Sequence, residues 1–369
     1  MSPLRILVVA QTPPPFGGQS VMTEYLLEGI YTNIELIHVR MNFSKELKFT
    51  GRFHISKTWE LIRVIVAIYW MKLRKSPVIL YYPPAGPTIL AIIRDICILG
   101  ATRWLFRATV FHFHTGGICH FADSMNPLFR KLFYLVFNKP DLAIYPSFGT
   151  PSVKSSLHCK REIVIPNGMP DVSGASINRS VNCNMSVSIL FVSMLYERKG
   201  LFVAIQAVNE LLMAGMNVEL TCLGEWRSHR VRMQAEIMIQ PENKSRFHFP
   251  GVQSGNAKWE YYRKADIFLF PSFAPGETFG VVLIEAMCFS LPVVTSRWGS
   301  IPEVVDENSC AIICNPRDVT GCRDALARLV NDSDLRQRMG KTGRERYLSY
   351  FTIDIYRKSM ENALLQLNQ

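Results

Sequence analysis

Apolar positions along the chain fall into two alternating patterns. Short runs rich in β-branched residues predict strands at 5–9, 34–38, 78–82, 109–113, 142–145 and 163–165. Between them, stretches with helical apolar periodicity predict helices at 19–30, 57–73, 86–99, 125–137 and 149–157. Residues 166–185, PNGMPDVSGASINRSVNCNM, break the pattern with Gly, Pro, Ser and Asn and read as an interdomain linker. The alternation then restarts, with strands at 188–192, 218–222, 247–249, 267–270, 292–295 and 311–314. Helices are predicted at 199–214, 229–239, 256–264, 280–289 and 318–330, followed by 333–347 and 352–367. Strands alternating with helices imply parallel sheets covered on both faces, so the class is α/β, with two doubly wound domains in series.

Composition agrees with two domains. The 369 residues are 48% hydrophobic and 19% charged, enough apolar material for two cores and too much for a disordered chain. The formal net charge of +11 suits an anionic partner, such as a nucleotide, a diphosphate-linked substrate or an acidic membrane. No DNA- or RNA-reading motif is present, which argues against nucleic acid. The nine cysteines form no CxxC pair or disulfide framework and read as reduced thiols of a cytosolic protein. The N-terminal MSPLRILVVAQTPPP reads as a first strand rather than a signal peptide. The uncharged stretch 76–93 contains four prolines and reads as strand, loop and helix rather than a membrane span.

The candidate chemistry lies where strands end. In PSFAPGETFGVVLIEAMCFSLPVV, 271–294, a strand runs into a Pro-Gly loop and a helix begins near Gly280. The N–H groups of Phe279, Gly280 and Val281, left unpaired at a helix start, suit a diphosphate, and Gly280 permits close backbone approach. Glu277 precedes the helix and Glu285 lies within it, with seven residues between. Glu285 sits among Val281, Val282, Leu283, Ile284, Ala286 and Met287, so its carboxylate needs donors: a ribose diol, or backbone amides. An acidic residue before a helix also serves simply as a cap.

Three further segments carry candidates. In ILFVSMLYERKGLFVAIQAV, 189–208, Lys199 stands at a helix start, where an ammonium meets a diphosphate, although most lysines are merely solvated. In TPPPFGGQSVMTEYLLEGI, 12–30, Gly17 and Gly18 let a loop approach a ligand at a helix start, or form a tight turn. In FHFHTGG, 111–117, His112 and His114 share a sheet face opposite Phe111 and Phe113. His114 comes last, at the strand's C-terminal end, where a ligand-facing residue belongs; a satisfied structural histidine is the other reading.

The segment 271–294 resembles the E-x7-E signature of the GT4 family of retaining glycosyltransferases. Their GT-B fold has two Rossmann-like doubly wound domains facing a central cleft. The resemblance is strong from about 187 to 347 and looser before 170, and it includes Pro292-Val293-Val294 and Gly299-Ser300-Ile301-Pro302-Glu303. It implies an acceptor-binding domain at 1–168, a nucleotide-sugar-binding domain at 185–347, and a C-terminal helix, 348–369, packing back on the first domain. It implies catalytic roles for His114, Glu277 and Lys199. Donor contacts would fall on Gly17, Gly18, Arg198, Lys199, Gly224, Glu277, Thr278, Phe279, Gly280, Val281 and Glu285, with Glu277 on the sugar hydroxyls and Glu285 on the ribose.

The sequence departs from the family pattern at two places. The family loop reads Gly-Arg, four residues, then Lys-Gly; here Ser193-Met194 replaces Gly-Arg before Lys199-Gly200. Methionine cannot offset phosphate charge, and Arg198 is the nearby substitute, although neighbouring residues at a loop–helix junction tend to point apart. Ser290 stands where a glycine is usual.

The implied activity is retaining transfer of a sugar from a nucleotide-diphosphate sugar to a glycan or polyprenyl-diphosphate-linked acceptor, as in polysaccharide or cell-envelope glycan biosynthesis. No metal or other cofactor is expected, since no DxD-type pair is present. Residues 43–75 mix Lys and Arg with Phe, Trp, Ile and Tyr; such a stretch suits an anionic membrane surface, or a buried amphipathic helix with a solvated basic face. The expected location is cytoplasmic, peripheral on the inner face of the cell membrane. Two rival readings are a nucleotide-sugar epimerase of similar fold and a catalytically silent binding subunit, the latter favoured by Ser193 and Met194.

Overall fold

The structure is a computed structural model that describes residues 3–14, 16–43, 55–174, 186–307 and 309–368. The chain divides into two compact units, one of Met1–Gly168 with Ile353–Gln369 and one of Met169–Thr352.

The first unit carries β1 (Leu4–Ala10), α1 (Gly18–Leu27), β2 (Ile34–Arg40), α2 (Ile55–Lys75), β3 (Ile79–Tyr82), α3 (Ile89–Thr102), β4 (Ala108–His112), α4 (Ile118–Asp123), α5 (Pro127–Phe137), β5 (Leu142–Tyr145), α6 (Lys154–Leu157) and β6 (Glu162–Val164). Its parallel sheet runs in the order β2-β1-β3-β4-β5-β6. The two faces of β1 feed two cores: Leu7 and Val9 pack with Tyr82, Phe111 and Phe137, while Ile6 and Val8 pack with Tyr81, Val110 and Ile144. A strand buried on both faces reads as an unbroken apolar run, which is why ILVVA, from Ile6 to Ala10, shows no alternation, while Arg5 at the start is exposed.

The second unit carries β7 (Val187–Val192), α7 (Leu201–Met213), β8 (Val218–Leu223), α8 (His229–Met238), β9 (Phe247–Gly251), α9 (Gly255–Lys264), β10 (Ile267–Phe270), α10 (Val281–Cys288), β11 (Val293–Ser296), α11 (Ile301–Val304), β12 (Ala311–Cys314), α12 (Val319–Asn331) and α13 (Ser333–Tyr350). Its sheet, also parallel, has the order β12-β11-β10-β7-β8-β9. The chain winds outward from β7 in one direction and from β10 in the other. The β7–β10 boundary is therefore a topological switch point, where loops leaving the strand C-termini open a crevice. After α13 the chain returns to the first unit as α14 (Ile353–Leu365). There Ile353, Tyr356, Met360 and Leu364 join the core of β1 and β3, and the Arg357 guanidinium donates to the Tyr25 carbonyl at 2.8 Å.

Local structure differs from the sequence reading at several points. The helix read at 149–157 is a single turn, Lys154–Leu157, because Pro151 interrupts it and the Ser147 and Thr150 hydroxyls bond each other at 2.9 Å. The helix read from 199 begins at Leu201, after a 3-10 turn, Glu197–Lys199. Strand β4 ends at His112, so His114 lies two residues beyond it. The short helices α4 and α11 were not legible, since four to six residues are too few to show a period. Of the linker, 175–185 lie outside the described residues, as do 44–54 of the basic-aromatic stretch and Pro15 of the first glycine loop.

Candidate functional site

In the second unit, three loops meet at the switch point. The loop after β7 continues through Tyr196 into the 3-10 turn and Gly200, which caps α7 in the left-handed conformation. The loop after β10 spans 271–280. It is tied to the first by the Phe273 N–H donating to the Arg198 carbonyl at 2.8 Å. It is further pinned by Thr295 and Ser296, whose hydroxyls donate to the Phe270 and Ser272 carbonyls, and by the Trp298 indole N–H on the Ala274 carbonyl. The loop after β8, 224–228, lies on the other side.

These loops line a cavity of about 550 Å³ with Tyr196, Glu197, Arg198, Lys199, Arg227 and residues 274–276. Arg198 and Lys199, in the 3-10 turn, both line it, contrary to the expectation that neighbours point apart. The Lys199 ammonium forms an ion pair with the Glu277 carboxylate and also lies 5.5 Å from the centre of the Phe270 ring. Both partners are largely buried, with side-chain exposures of 23% and 10%. A cation and an anion so placed neutralise each other in surroundings that hold little water.

Gly280 opens α10 with φ of 75°, and a Cβ there would press against Leu283 at 2.9 Å, so the position requires glycine. Among the described residues, nothing accepts from the backbone N–H groups of Gly280, Val281 or Val282. They are the orphan donors of a helix N-terminus. Phe279 contributes through its backbone only, since its ring packs edge-on against Phe351 at 5.8 Å. Thr278 is buried beside it.

Glu285, 7% exposed, is held by donors that sequence reading did not name. Instead of backbone amides, the Lys258 ammonium donates to Oε1 and the Tyr262 hydroxyl to Oε2, each at 2.6 Å. Lys258 and Tyr262 stand four residues apart on one face of α9. That spacing is visible in the sequence; the packing of the face onto α10 is not. A carboxylate has about four acceptor positions, so room remains for two more donors.

Other sequence candidates belong to the first unit. Gly17 precedes α1, but its N–H already donates to Ser20 Oγ at 3.0 Å, and Gly18 is the first residue of α1. His112 is fully buried, with Nδ1 2.5 Å from the Tyr81 hydroxyl, and its ring lies 4.0 Å from that of His114 at an angle of 34°. Burial pushes His114 down to about 3. Burial, followed by the neighbouring His114, lowers His112 well below the usual imidazole range. Both rings are neutral at neutral pH. Gly224 lies after β8 in the second unit, where its φ of 145° and lack of a Cβ let it pass against the Ser193 carbonyl.

Residues 178–346 match the family model of glycosyl transferases group 1. Among curated proteins, the chain is 36% identical over 105 residues to sulfoquinovosyl transferase SQD2 of Arabidopsis thaliana, covering 28% of this chain and 20% of that protein. It is 24% identical over 179 residues to capsular polysaccharide biosynthesis glycosyltransferase CapM of Staphylococcus aureus, covering 48% and 46%. The chain thus spans less than half the length of these two curated relatives. Among solved structures it is similar to Anabaena HepE in complex with UDP and glucose, with a TM-score of 0.71, 15% identity and coverage of 98% of this chain and 99% of that one. The fold is GT-B, built from two Rossmann-like units.

Proposed function

We propose that the chain, whose residues 178–346 match the family model of glycosyl transferases group 1, is a glycosyltransferase that moves a sugar from a nucleotide-diphosphate sugar to a glycan or lipid-linked glycan, with retention of anomeric configuration. The observation that carries this reading is the Lys199–Glu277 pair beside the orphan amides of α10, at the switch point of a parallel sheet. As the bond from sugar to diphosphate breaks, negative charge collects on the leaving phosphate and positive character on the sugar ring. Lys199, Arg198 and the amides of Gly280 and Val281 stabilise the first. Well-placed donors of this kind contribute about 3–4 kcal/mol each to the transition state. Glu277 accepts from the sugar hydroxyls and Glu285 from the ribose. These groups supply enough positive field for the reaction to proceed without a metal ion. Neutral His114 acts as a hydrogen-bonding group rather than an acid.

Transfer from UDP-, GDP- or ADP-sugars, followed in the presence of EDTA with product anomers read by NMR, tests this reading. Isomerised donor without transfer points to an epimerase. Absence of both with intact nucleotide binding points to a silent subunit.

The first unit is assigned to the acceptor, at an anionic membrane surface on the cytoplasmic side. On α2, Trp59, Val66, Trp70 and Leu73 are exposed, and its last turn carries Lys72, Arg74 and Lys75. Helix α3 packs against both α2 and α5, and α5 exposes Leu128, Leu132 and Leu135. Among the described residues no helix is long and apolar enough to cross a membrane. Exposed apolar side chains on a helix that ends in a basic turn suit shallow insertion among anionic lipids. Flotation with phosphatidylglycerol vesicles, lost in Trp70→Ser/Leu73→Ser, supports the assignment; no flotation of the wild type removes it.

A further inference from the structure

The group 1 loop lacks its usual arginine, because position 194 is methionine, and the structure shows where another guanidinium enters the same cavity. The parallel pairing of β7 and β8 does not stop at the strand ends. The Ser193 N–H donates to the Leu223 carbonyl at 3.0 Å, the Leu195 N–H to the Glu225 carbonyl at 2.8 Å, and the Arg227 N–H to the Leu195 carbonyl at 3.2 Å. Gly224 makes this possible, since a Cβ there would strike the Ser193 carbonyl oxygen. The loop after β8 is therefore zipped to the loop after β7, and its register sets Arg227 beside Tyr196.

The Arg227 guanidinium lies 4.7 Å from the centre of the Tyr196 ring, and Arg227 lines the cavity with Arg198 and Lys199. Among the described residues no carboxylate pairs with Arg227 or with Arg198, whereas Lys199 is neutralised by Glu277. Stacking on an aromatic face limits the rotamers of a long side chain and leaves its N–H fork free to meet two oxygens of one phosphate. Glu197 also lines the cavity, so the two guanidinium groups leave it a net positive charge, which favours an anionic ligand.

We propose that Arg227 contacts the donor diphosphate, supplying from the loop after β8 the positive charge absent at Met194. The inference rests on the nucleotide-sugar reading of the cavity. It adds a residue of this chain that the E-x7-E and Lys-Gly motifs do not include.

The test is calorimetric titration of the full chain with UDP, GDP and ADP, and with uridine, guanosine and adenosine. For whichever diphosphate binds, Arg227→Met should weaken affinity about tenfold or more and leave the matching nucleoside within about twofold, because a charge-assisted contact to phosphate is removed and the base site is untouched. Arg227→Lys should fall between. Adding Met194→Arg to Arg227→Met should restore much of the diphosphate affinity, a rescue that a merely structural role would not permit. Unchanged diphosphate affinity in Arg227→Met, or an equal loss for nucleoside and diphosphate, overturns the proposal. Failure of the wild type to bind any of the three diphosphates overturns the donor reading itself.

Discussion

Lys199 and Glu277, 78 residues apart in the chain, close on each other as an ion pair across the boundary between β7 and β10. Each is the other's main counter-charge in a largely buried place. Lys199→Met should destabilise the protein by about 1–3 kcal/mol, because it leaves the Glu277 carboxylate with little water and no cation. Adding Glu277→Gln should recover part of that loss in urea denaturation. Each single substitution should also lower kcat/KM for transfer about 100-fold or more. Wild-type kcat/KM in a folded Lys199→Met enzyme would contradict the assigned role.

The Glu285 cluster yields a second cycle. Lys258→Met leaves a buried carboxylate with the Tyr262 hydroxyl alone and should cost about 2–4 kcal/mol. Lys258→Met/Glu285→Gln should be less destabilised than Lys258→Met. Tyr262→Phe, which removes one neutral donor, should cost about 1–2 kcal/mol. If Glu285 holds the ribose, Glu285→Gln should narrow the preference for ribo- over 2′-deoxynucleotides in competition binding. An unchanged preference would remove that role.

The neighbouring histidines His112 and His114 make stability fall in mild acid. His114 has its folded value near 3, below the ordinary 6.5. The unfolded chain therefore takes up a proton from about pH 6.5 downward while the folded chain does not. The stabilisation from keeping this ring neutral is complete above pH 6.5 and is lost progressively toward pH 3. At pH 5 the loss attributable to His114 is about 2 kcal/mol, and His112 acts in the same direction. Denaturation midpoints at pH 7 and pH 5 should differ less in His114→Gln than in the wild type. A pH dependence identical in both would show that the ring is free to protonate in the folded state.

Ser290 is held at φ of 55°, in the left-handed region. A side chain there costs about 1 kcal/mol relative to glycine. Ser290→Gly should raise stability by roughly that amount in thermal or urea unfolding without changing nucleotide affinity. A destabilised variant would mean that the Ser290 side chain makes a compensating contribution.

Much of the fold was legible from local patterning. Each strand among the described residues overlaps a short apolar run; central strands are buried on both faces and largely exclude polar residues, whereas the edge strands β2, β6 and β9 keep a partly apolar pattern. The loops carrying Lys199, Glu277 and Gly280 could be located as strand-to-helix junctions for the same reason. Short elements were lost: α4 and α11 give no period to read, and the stretch near 149 looked helical although Pro151 limits the helix to one turn.

By itself, then, the sequence determined the order of strands and helices and the positions where loops with ionisable residues interrupt them. Both follow from burial and backbone propensity, which act between near neighbours. Tertiary structure alone decided that Lys258 and Tyr262 grip Glu285, and that Arg227 stands beside Tyr196. The first depends on which face of α9 meets α10, the second on the register of two parallel strands. Helix docking and ladder register are set by packing between segments far apart in the chain, and no local period encodes them.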